Sequence, residues 1–484
     1  MKSPASLFLG SIILAGACST AQEKPNIILI MADDMGWGDT GYNGNDIILT
    51  PHLDQMADDG VRFDRFYSAS AVSSPTRASV LTGRNPFRTG VFTANQGILR
   101  PEEVTIPELL KEEGYETGHF GKWHLGTLTY SERDANRGKP GNTKEYNPPA
   151  LHGFDVAFST ESKVPTWDPM KKRKGGGKRS GNYLLPEEEF EHYGTYYWDI
   201  DGNKITDNLE GDDSRVIMDR VLPFIDKSVE NKNPFFAVVW FHTPHKPYIA
   251  GPEYHEIYKE HSLDVINYAG SITAMDKQIG RLREFLKEKG ADENTMIWFC
   301  SDNGPENRTP GSTAGLRDRK RSLHEGGIRV PGVMVWPAKI KEPFVSESPA
   351  FTSDYLPTIA EVLNIDDSLI TNELDGTSLL PVLSGEKNDR ASYMGFSIGN
   401  QLVWMNSQQK LYSSGPELEI FDIQNDREEK NNIIDGNPDL KKEMIEALED
   451  WQESCKKSFD GEEYGTKSVE KLNQRWRSIK IEDE

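Results

Sequence analysis

Four short apolar runs, each followed at once by polar residues, constrain the fold of this chain more than any other feature. The runs span 25–31, 115–120, 235–241 and 295–300. Three of them, 25–31, 235–241 and 295–300, have the length and hydrophobicity of a strand buried on both faces, and 115–120 is predicted to be a short strand. Between the last two, apolar residues recur at helical spacing from Ile266 to Leu286. Strands that alternate with helices predict an α/β protein with a large, mixed, mostly parallel sheet.

The polar residues that follow these runs are expected to form one site. They are, in chain order, Asp33 and Asp34, Lys122 and His124, His242 and His245, and Asp302 and Asn303. Open α/β sheets bind ligands outside the carboxyl ends of their strands. Adjacent buried carboxylates such as Asp33 and Asp34 are costly without a cation, and hard oxygen ligands suit calcium or magnesium. The alternative interpretation of this pair is an Asp turn that caps the next helix.

The stretch 73–84, SSPTRASVLTGR, adds a side chain that could attack an anion. Pro75 fits the first turn of a helix, which places Ser73 at or just before a helix N-terminus. Unpaired backbone N–H groups favour negative charge there, and Arg77 adds a cation that can fork onto an oxyanion. The same pattern is also typical of an ordinary N-capping serine, so the local sequence leaves both interpretations open.

The chain resembles the formylglycine-dependent sulfatases. Residues 73–84 match that family's signature, which reads Cys or Ser, any residue, Pro, any residue, Arg, and then Leu-Thr-Gly-Arg. Further segments occur in family order over nearly the whole mature chain: 33–34, 50–54, 121–124, 244–245, 301–304, 320, 325–327 and 421–422. The resemblance implies an alkaline-phosphatase-like α/β/α sandwich with a smaller C-terminal α+β domain.

The resemblance also implies a cofactor and a modified residue. Ser73 would be oxidised to formylglycine (3-oxoalanine) by a sulfatase-maturating enzyme that accepts serine. One Ca²⁺ ion would be bound by Asp33, Asp34, residue 73, Asp302 and Asn303.

Catalytic roles follow from the same resemblance. The hydrated aldehyde at position 73 would attack sulfur, and Arg77 and His124 would assist it. Lys122 and Lys320 would neutralise the sulfate oxygens, and His245 would protonate the departing oxygen. The basic cluster around Arg321 and His324 is predicted to bind substrate, whereas His242 is interpreted as structural.

Length and charge indicate how many domains the chain has and which class of partner it binds. The 484 residues predict a catalytic domain at 24–385 and a C-terminal domain at 386–484, with strands near 401–405 and 418–421 and a terminal helix. A formal net charge of −22 argues against nucleic acid as the main partner, although anionic substrates could still bind in a locally positive pocket.

The first 21 residues predict an export signal, in which a lysine precedes an apolar run from Leu7 to Leu14. Two processing routes are open: cleavage before Cys18, which would leave a lipid anchor, or cleavage before Gln22. The protein is expected in the periplasm, on the cell surface as a lipoprotein, or secreted. No other apolar run reaches the roughly 20 residues of a membrane span.

The favoured function is an exported, calcium-dependent sulfatase acting on a sulfated carbohydrate of the ulvan, carrageenan or glycosaminoglycan type. Two alternatives remain: a phosphonate or phosphodiester hydrolase, and a non-catalytic glycan-binding protein with an unmodified Ser73. The basic run 171–179 is either a surface loop or a flap that attracts a polyanion. The aromatic residues Trp167 and 196–198 either pack or stack on sugar rings.

Overall fold

The computed structural model describes residues 24–177, 189–385, 390, 392–415 and 417–464. The predicted export signal with Cys18 lies outside the described residues, as do residues 178–179 of the basic run and the segments 386–389 and 465–484. Among the described residues, no helix combines the length and the apolar character needed to cross a bilayer.

The strands are numbered in chain order. They are β1 (Asn26–Ala32), β2 (Val61–Phe63), β3 (Phe66–Tyr67), β4 (Val91–Thr93), β5 (Gln96–Gly97), β6 (Glu116–Lys122), β7 (Val156–Thr160), β8 (Lys171–Arg173), β9 (Phe190–His192), β10 (Tyr197–Asp199), β11 (Lys204–Ile205), β12 (Phe235–Trp240), β13 (Thr295–Ser301), β14 (Arg329–Val330), β15 (Gly332–Val335), β16 (Phe344–Ser346), β17 (Ala350–Phe351), β18 (Met394–Ile398), β19 (Gln401–Met405), β20 (Gln409–Ser414) and β21 (Glu417–Asp422).

The α-helices are numbered in the same way. They are α1 (Pro51–Asp59), α2 (Ser73–Thr82), α3 (Ile106–Glu112), α4 (Asp213–Asn231), α5 (Pro252–Ile257), α6 (Leu263–Glu288), α7 (Glu325–Ile328), α8 (Tyr355–Leu363), α9 (Leu380–Leu383) and α10 (Pro438–Asp460).

A ten-stranded mixed sheet forms the centre of the fold, in the order β11-β10-β7-β6-β12-β1-β13-β15-β2-β16. The five central strands from β7 to β13 are all parallel to one another. The four apolar runs of the sequence become β1, β6, β12 and β13, which are neighbours in this parallel block. This confirms the predicted fold class.

Helices cover both faces of the sheet because successive residues of each central strand point to opposite sides. Ile27 and Leu29 belong to one apolar cluster with α2, α3 and α8. Ile28 and Ile30 belong to a second cluster with α1, α4 and α6. Each such side chain contributes about 2 kcal/mol when it is fully buried. The result is the α/β/α layering that holds the strand ends in fixed positions.

The C-terminal domain is a four-stranded antiparallel sheet, β18-β19-β20-β21, with α10 against one face. Its other face packs against the catalytic part of the chain. Val403 and Phe396 share an apolar cluster with Val72 and Leu323. The sheet is therefore anchored directly beside Ser73 and beside the loop that precedes α7.

Candidate active site

The carboxyl ends of β1, β6, β12 and β13 bring their polar residues into one buried cluster. The Lys122 Nζ atom lies 2.6 Å from Asp33 Oδ2, and the His245 Nε2 atom lies 3.6 Å from Asp34 Oδ2. Asn303 Nδ2 donates to Asp34 Oδ1 over 2.7 Å. Residues that are far apart in sequence meet here because the strands that deliver them are adjacent and parallel.

Ser73 lies at the first position of α2, as the Pro75 pattern predicts. Its hydroxyl donates to Asp33 Oδ1 over 3.1 Å and accepts from Lys122 Nζ over 3.3 Å. Its Oγ atom is also 3.5 Å from Asn303 Oδ1. The residue before it, Val72, is extended and provides no side-chain cap. The Ser73 hydroxyl thus stands among charged groups at a helix N-terminus, where an anion is stabilised.

Arg77 is a buried cation one turn further along α2. Its Nη2 donates to Asp302 Oδ2 over 2.9 Å, and its Nη1 donates to the carbonyl of Lys122 over 3.0 Å. The guanidinium also lies over the ring of Trp240. Because arginine keeps its proton in proteins, this position supplies a fixed positive charge beneath Ser73.

The donor set of this cluster fits a hard divalent cation. Oxygen and nitrogen atoms of Asp33, Asp34 and His245 converge within 4.8 Å of one another. The Oδ2 atom of Asp34 is buried and has no hydrogen-bond partner, which is costly unless a cation binds it. Asp302 and Asn303 add further oxygen atoms at the same place. Carboxylate and amide oxygens are ligands that calcium prefers.

Burial and the neighbouring charges set the protonation of these carboxylates. Burial would raise the pKa of Asp33, but Lys122, His245 and Arg77 together hold it well below its usual range. Burial raises the pKa of Asp34 and raises that of Asp302 to about 7. The three carboxylates face three cations, Lys122, Lys320 and Arg77. An added divalent ion would leave the cluster positive and receptive to an anion.

His245 presents one ring nitrogen to the cluster. Its Nδ1 donates to the carbonyl of Lys246 over 2.7 Å, which leaves Nε2 directed towards Asp34. Burial keeps its pKa well below the usual histidine value. His242, three residues earlier, is fully buried between Asp213 and Thr160, in agreement with the structural interpretation.

His124 is oriented by Asn95, a residue that sequence reasoning missed. The Oδ1 atom of Asn95 accepts from Asn136 Nδ2 and lies 2.9 Å from His124 Nε2. An acceptor at this position requires the proton of the neutral ring to be on Nε2, so Nδ1 carries the lone pair. Burial and nearby Lys122 keep the pKa of His124 well below its usual value.

A cavity of about 1800 Å³ opens above this cluster. Ser73, Lys122, His124, His245 and Lys320 are among its lining residues. The β4–β5 hairpin and the turn between β18 and β19 also form part of its wall. The volume is larger than a typical drug-sized pocket, which suits an extended ligand.

The loop 317–323 brings Lys320 and Arg321 to this cavity. Lys320 forms an ion pair with Asp34, and Arg321 forms two hydrogen bonds to Glu306. Gln401 of β19 fixes the loop from the other side. Its Oε1 accepts from the backbone N–H of Leu323 over 2.8 Å, and its Nε2 donates to the carbonyl of Arg321 over 2.9 Å.

A Gln401→Ala variant should lower kcat about ten- to a hundredfold on a small ester such as 4-nitrophenyl sulfate, because the loop that carries Lys320 loses both contacts. Gln401→Glu keeps the acceptor for Leu323 but cannot donate to Arg321, so an intermediate loss is expected. Gln408→Ala, in the turn between β19 and β20 and outside the cavity wall, is the matched control. Equal kcat values for all variants would contradict a positioning role.

His324 does not line the cavity, in contrast to the expectation that it binds substrate. The ring is buried, stacks on Tyr412 and lies 3.0 Å from Glu429 Oε1. Glu429 also pairs with Lys410, which in turn pairs with Glu325. This group lies in the interface between the catalytic part and the C-terminal sheet. His324 is therefore buried beside Glu429, a partner 105 positions away in the chain that no local sequence pattern indicates.

A Glu429→Gln variant should lose about 3 kcal/mol of unfolding free energy near neutral pH, because Lys410 and His324 lose a buried partner. Burial alone would raise the pKa of Glu429, but Lys410 and His324 lower it to about 2. This stabilisation is present above the unfolded-state pKa of about 4.3 and fades as the pH falls towards 2.

Urea unfolding at several pH values measures the difference. Glu428→Gln, next in the chain and partly exposed, serves as the control and should leave stability unchanged. A constant difference between the Glu429 variant and the parent down to pH 2 would contradict the assigned ionisation.

The described parts of the aromatic and basic segments, 167–177 and 189–198, lie outside the cavity wall. Tyr197 and Trp198 are buried, and the Trp198 indole donates to Asp134 over 2.9 Å, so both residues pack. Residues 171–173 form a strand of a two-stranded hairpin, where Lys172 pairs with Glu191. Tyr197 and Trp198 therefore pack inside the protein and are not placed to stack on a sugar in the cavity.

This fold and this cluster define a hydrolase of the alkaline-phosphatase-like type. The chain belongs to the sulfatase family, whose model, described as Sulfatase, matches residues 25–365. It is therefore a sulfuric ester hydrolase.

Named relatives agree with this assignment. N-acetylgalactosamine-6-sulfatase of Canis lupus familiaris is 30% identical over 391 residues, which is 76% of this chain and 68% of that protein. Arylsulfatase A of Homo sapiens is 32% identical over 390 residues, covering 78% of this chain and 71% of that protein.

A solved structure extends the similarity to the C-terminal sheet. The crystal structure of Ps i-CgsB in complex with k-i-k-neocarrahexaose superimposes with a TM-score of 0.74 at 26% identity. The match covers 92% of this chain and 98% of that one, so the whole architecture is shared.

Proposed function

We propose that this sulfatase is exported and removes sulfate esters from a carbohydrate, a sulfated polysaccharide or its oligosaccharides, through a formylglycine formed from Ser73. The observation that carries the proposal is the place of the Ser73 hydroxyl. It stands at the buried N-terminus of α2, in contact with Asp33 and Lys122, on the floor of a large cavity. A cavity of this size accommodates a saccharide rather than only a sulfate ion.

The charged side chains around Ser73 would bind and orient the sulfate group. Lys122 and Lys320 bring ammonium groups to the two neighbouring carboxylates Asp33 and Asp34, and both line the cavity. Arg77 adds a positive charge from below. Fixed cations aimed at oxygen atoms that gain charge in the transition state are usually the largest contribution to such a transfer.

The two histidines would move protons. His245 directs its Nε2 atom at the cavity, and in its doubly protonated form, with Nδ1–H still bonded to the Lys246 carbonyl, it would give the Nε2 proton to the departing sugar oxygen. His124, held in one tautomer by Asn95, offers a lone pair on Nδ1 and can accept a proton from the group at position 73. Asp33, Asp34, Asp302 and Asn303 would hold a calcium ion, which would supply further positive charge next to the sulfate oxygens.

Formylglycine explains why the position needs more than a plain serine. Its hydrate supplies an attacking hydroxyl and a second hydroxyl that allows sulfate to leave without a new attack by water. A serine would instead retain a sulfate ester that water must cleave.

The test is the mass of the tryptic peptide 66–77, taken from protein made in its native host. A loss of about two mass units, the two hydrogens removed when an alcohol becomes an aldehyde, is expected. Release of sulfate from sulfated oligosaccharides is measured on the same sample, with phosphonate esters in parallel. Signal-peptide processing is read from the N-terminal peptide of that sample.

Each alternative has its own outcome. An unmodified Ser73 together with retained glycan binding would support a binding protein. Faster hydrolysis of phosphonate esters than of any sulfate ester would overturn the proposed substrate class. Cleavage before Cys18 or before Gln22 would distinguish a lipoprotein from a soluble exported protein.

A further inference from the structure

The cavity wall is positively charged although the chain carries a formal net charge of −22. Its charged lining residues, apart from the histidines, are Lys122, Lys163, Lys246, Arg308, Lys320 and Arg321, with Asp264 and Glu306 as the acidic ones. A concave surface lined mainly by one sign of charge concentrates ligands of the opposite sign. The cavity is therefore electrostatically suited to anions, against the charge of the whole protein.

Several of these cations are already engaged on the floor or wall of the site. Lys122 and Lys320 pair with Asp33 and Asp34, beside Ser73. Arg321 is neutralised by Glu306. These residues account for the sulfate that is cleaved and for the loop that carries Lys320.

Lys246 and Arg308 form a different group, here called the outer cation pair. Lys246 directly follows His245 and donates its ammonium to the carbonyl of Arg308 over 3.1 Å. Within the described part of the chain, neither side chain has a carboxylate within ion-pair distance. Arg308 is exposed and Lys246 half-buried, so both charges remain available to a ligand in the cavity.

The position of the outer cation pair relates it to the leaving group. In the proposed function His245 protonates the departing sugar oxygen, and Lys246, its immediate neighbour in the chain, lines the same cavity. Charges at this point would contact the sugar that leaves, or the next sugar, rather than the sulfate held by Lys122 and Lys320. Both residues line the same cavity. The guanidinium of Arg308 is suited to a carboxylate or a sulfate, since its planar fork can bond two oxygens, and the ammonium of Lys246 would add a second positive charge.

We propose that Lys246 and Arg308 form a subsite for a second anionic group, a sulfate or a carboxylate, on the saccharide that leaves. This inference rests on the proposed function. It narrows the substrate class to saccharides that carry at least one negative charge besides the sulfate that is cleaved.

The experiment compares matched substrates on the mature enzyme and on a Lys246→Ala/Arg308→Ala double variant. The probes are monosulfated oligosaccharides, the same oligosaccharides with one added sulfate or uronate, and 4-nitrophenyl sulfate. The parent enzyme should prefer the doubly charged member of a pair. The double variant should lose at least about tenfold in kcat/KM on that member, mainly through KM, because a charge-assisted contact is lost.

Controls separate this loss from a general effect. Hydrolysis of 4-nitrophenyl sulfate by the double variant should change less than about twofold, since that ester has no second anion. Lys341→Ala removes an exposed cation outside the cavity and should change none of the ratios. Added salt should weaken the preference of the parent enzyme, as expected for exposed charges.

The possible failures are distinguishable. If no sulfate ester is hydrolysed by protein with a converted residue 73, the proposed function fails. If sulfate esters are hydrolysed but the double variant retains the preference for doubly charged saccharides, or the parent enzyme shows none, only the outer cation pair is wrongly assigned.

Discussion

Ser73→Ala should abolish sulfate-ester hydrolysis, with a loss in kcat of at least about 10⁴-fold, because the attacking group cannot form without a side-chain oxygen. The fold should survive. The Ser73 hydroxyl makes contacts with the charged groups of Asp33 and Lys122 that are worth about 1.5–3 kcal/mol each, but after its removal Asp33 and Lys122 still pair with each other. Sulfate release and thermal unfolding, measured on the same preparation, check the two expectations.

The adjacent serine provides a matched control. Ser74 is equally buried, but its hydroxyl has no hydrogen-bond partner. Ser74→Ala should therefore retain activity and stability. Complete unfolding of Ser73→Ala, or turnover that equals the parent's, would contradict the role assigned to residue 73.

Removal of the proposed calcium ion should inactivate the enzyme and lower its unfolding temperature. Without a cation, Asp34 keeps a buried oxygen atom with no partner and stays close to Asp33 and Asp302. A ligand at a hundredfold excess over its Kd stabilises the folded state by about 2.7 kcal/mol. Activity and unfolding temperature are measured after dialysis against EGTA and again after Ca²⁺ or Mg²⁺ is added back. Calorimetric titration of the dialysed protein with each ion measures binding directly.

The binding readout does not depend on turnover. Ser73→Ala should show a calcium-dependent rise in unfolding temperature close to that of the parent, whereas Asp302→Asn should show a much smaller one. If neither EGTA nor calcium changes the unfolding temperature of the parent or of the variants, a cation at this position is excluded.

Four of the ten strands of the central sheet could be predicted because their signal is local. Apolar runs identify β1, β12 and β13, and a short strand pattern identifies β6. The residues directly after each of these strands can be listed from the sequence. Their meeting at one edge then follows from the parallel arrangement alone. Ser73 at the start of α2 follows from Pro75 in the same way.

Contacts between distant segments could not be predicted. Asn95 reaches His124 from the tip of a hairpin, and Gln401 reaches residues 321 and 323 from another sheet. Neither residue has a neighbour in sequence that marks it. His324 shows the reverse case, because its charge pattern suggested a ligand site while Glu429 holds it inside the protein.

The turn between β18 and β19 belongs to the predicted C-terminal domain but contributes to the site of the predicted catalytic domain. It forms part of the cavity wall, and the adjoining Gln401 fixes the loop that carries Lys320. Exchange of the C-terminal sheet alone between two related enzymes should therefore disturb the active site. A chimera that joins one enzyme's sheet to another's catalytic part should remain active only if the 317–323 loop travels with the sheet. Recombination and protein engineering would thus have to treat these two segments as one inherited unit.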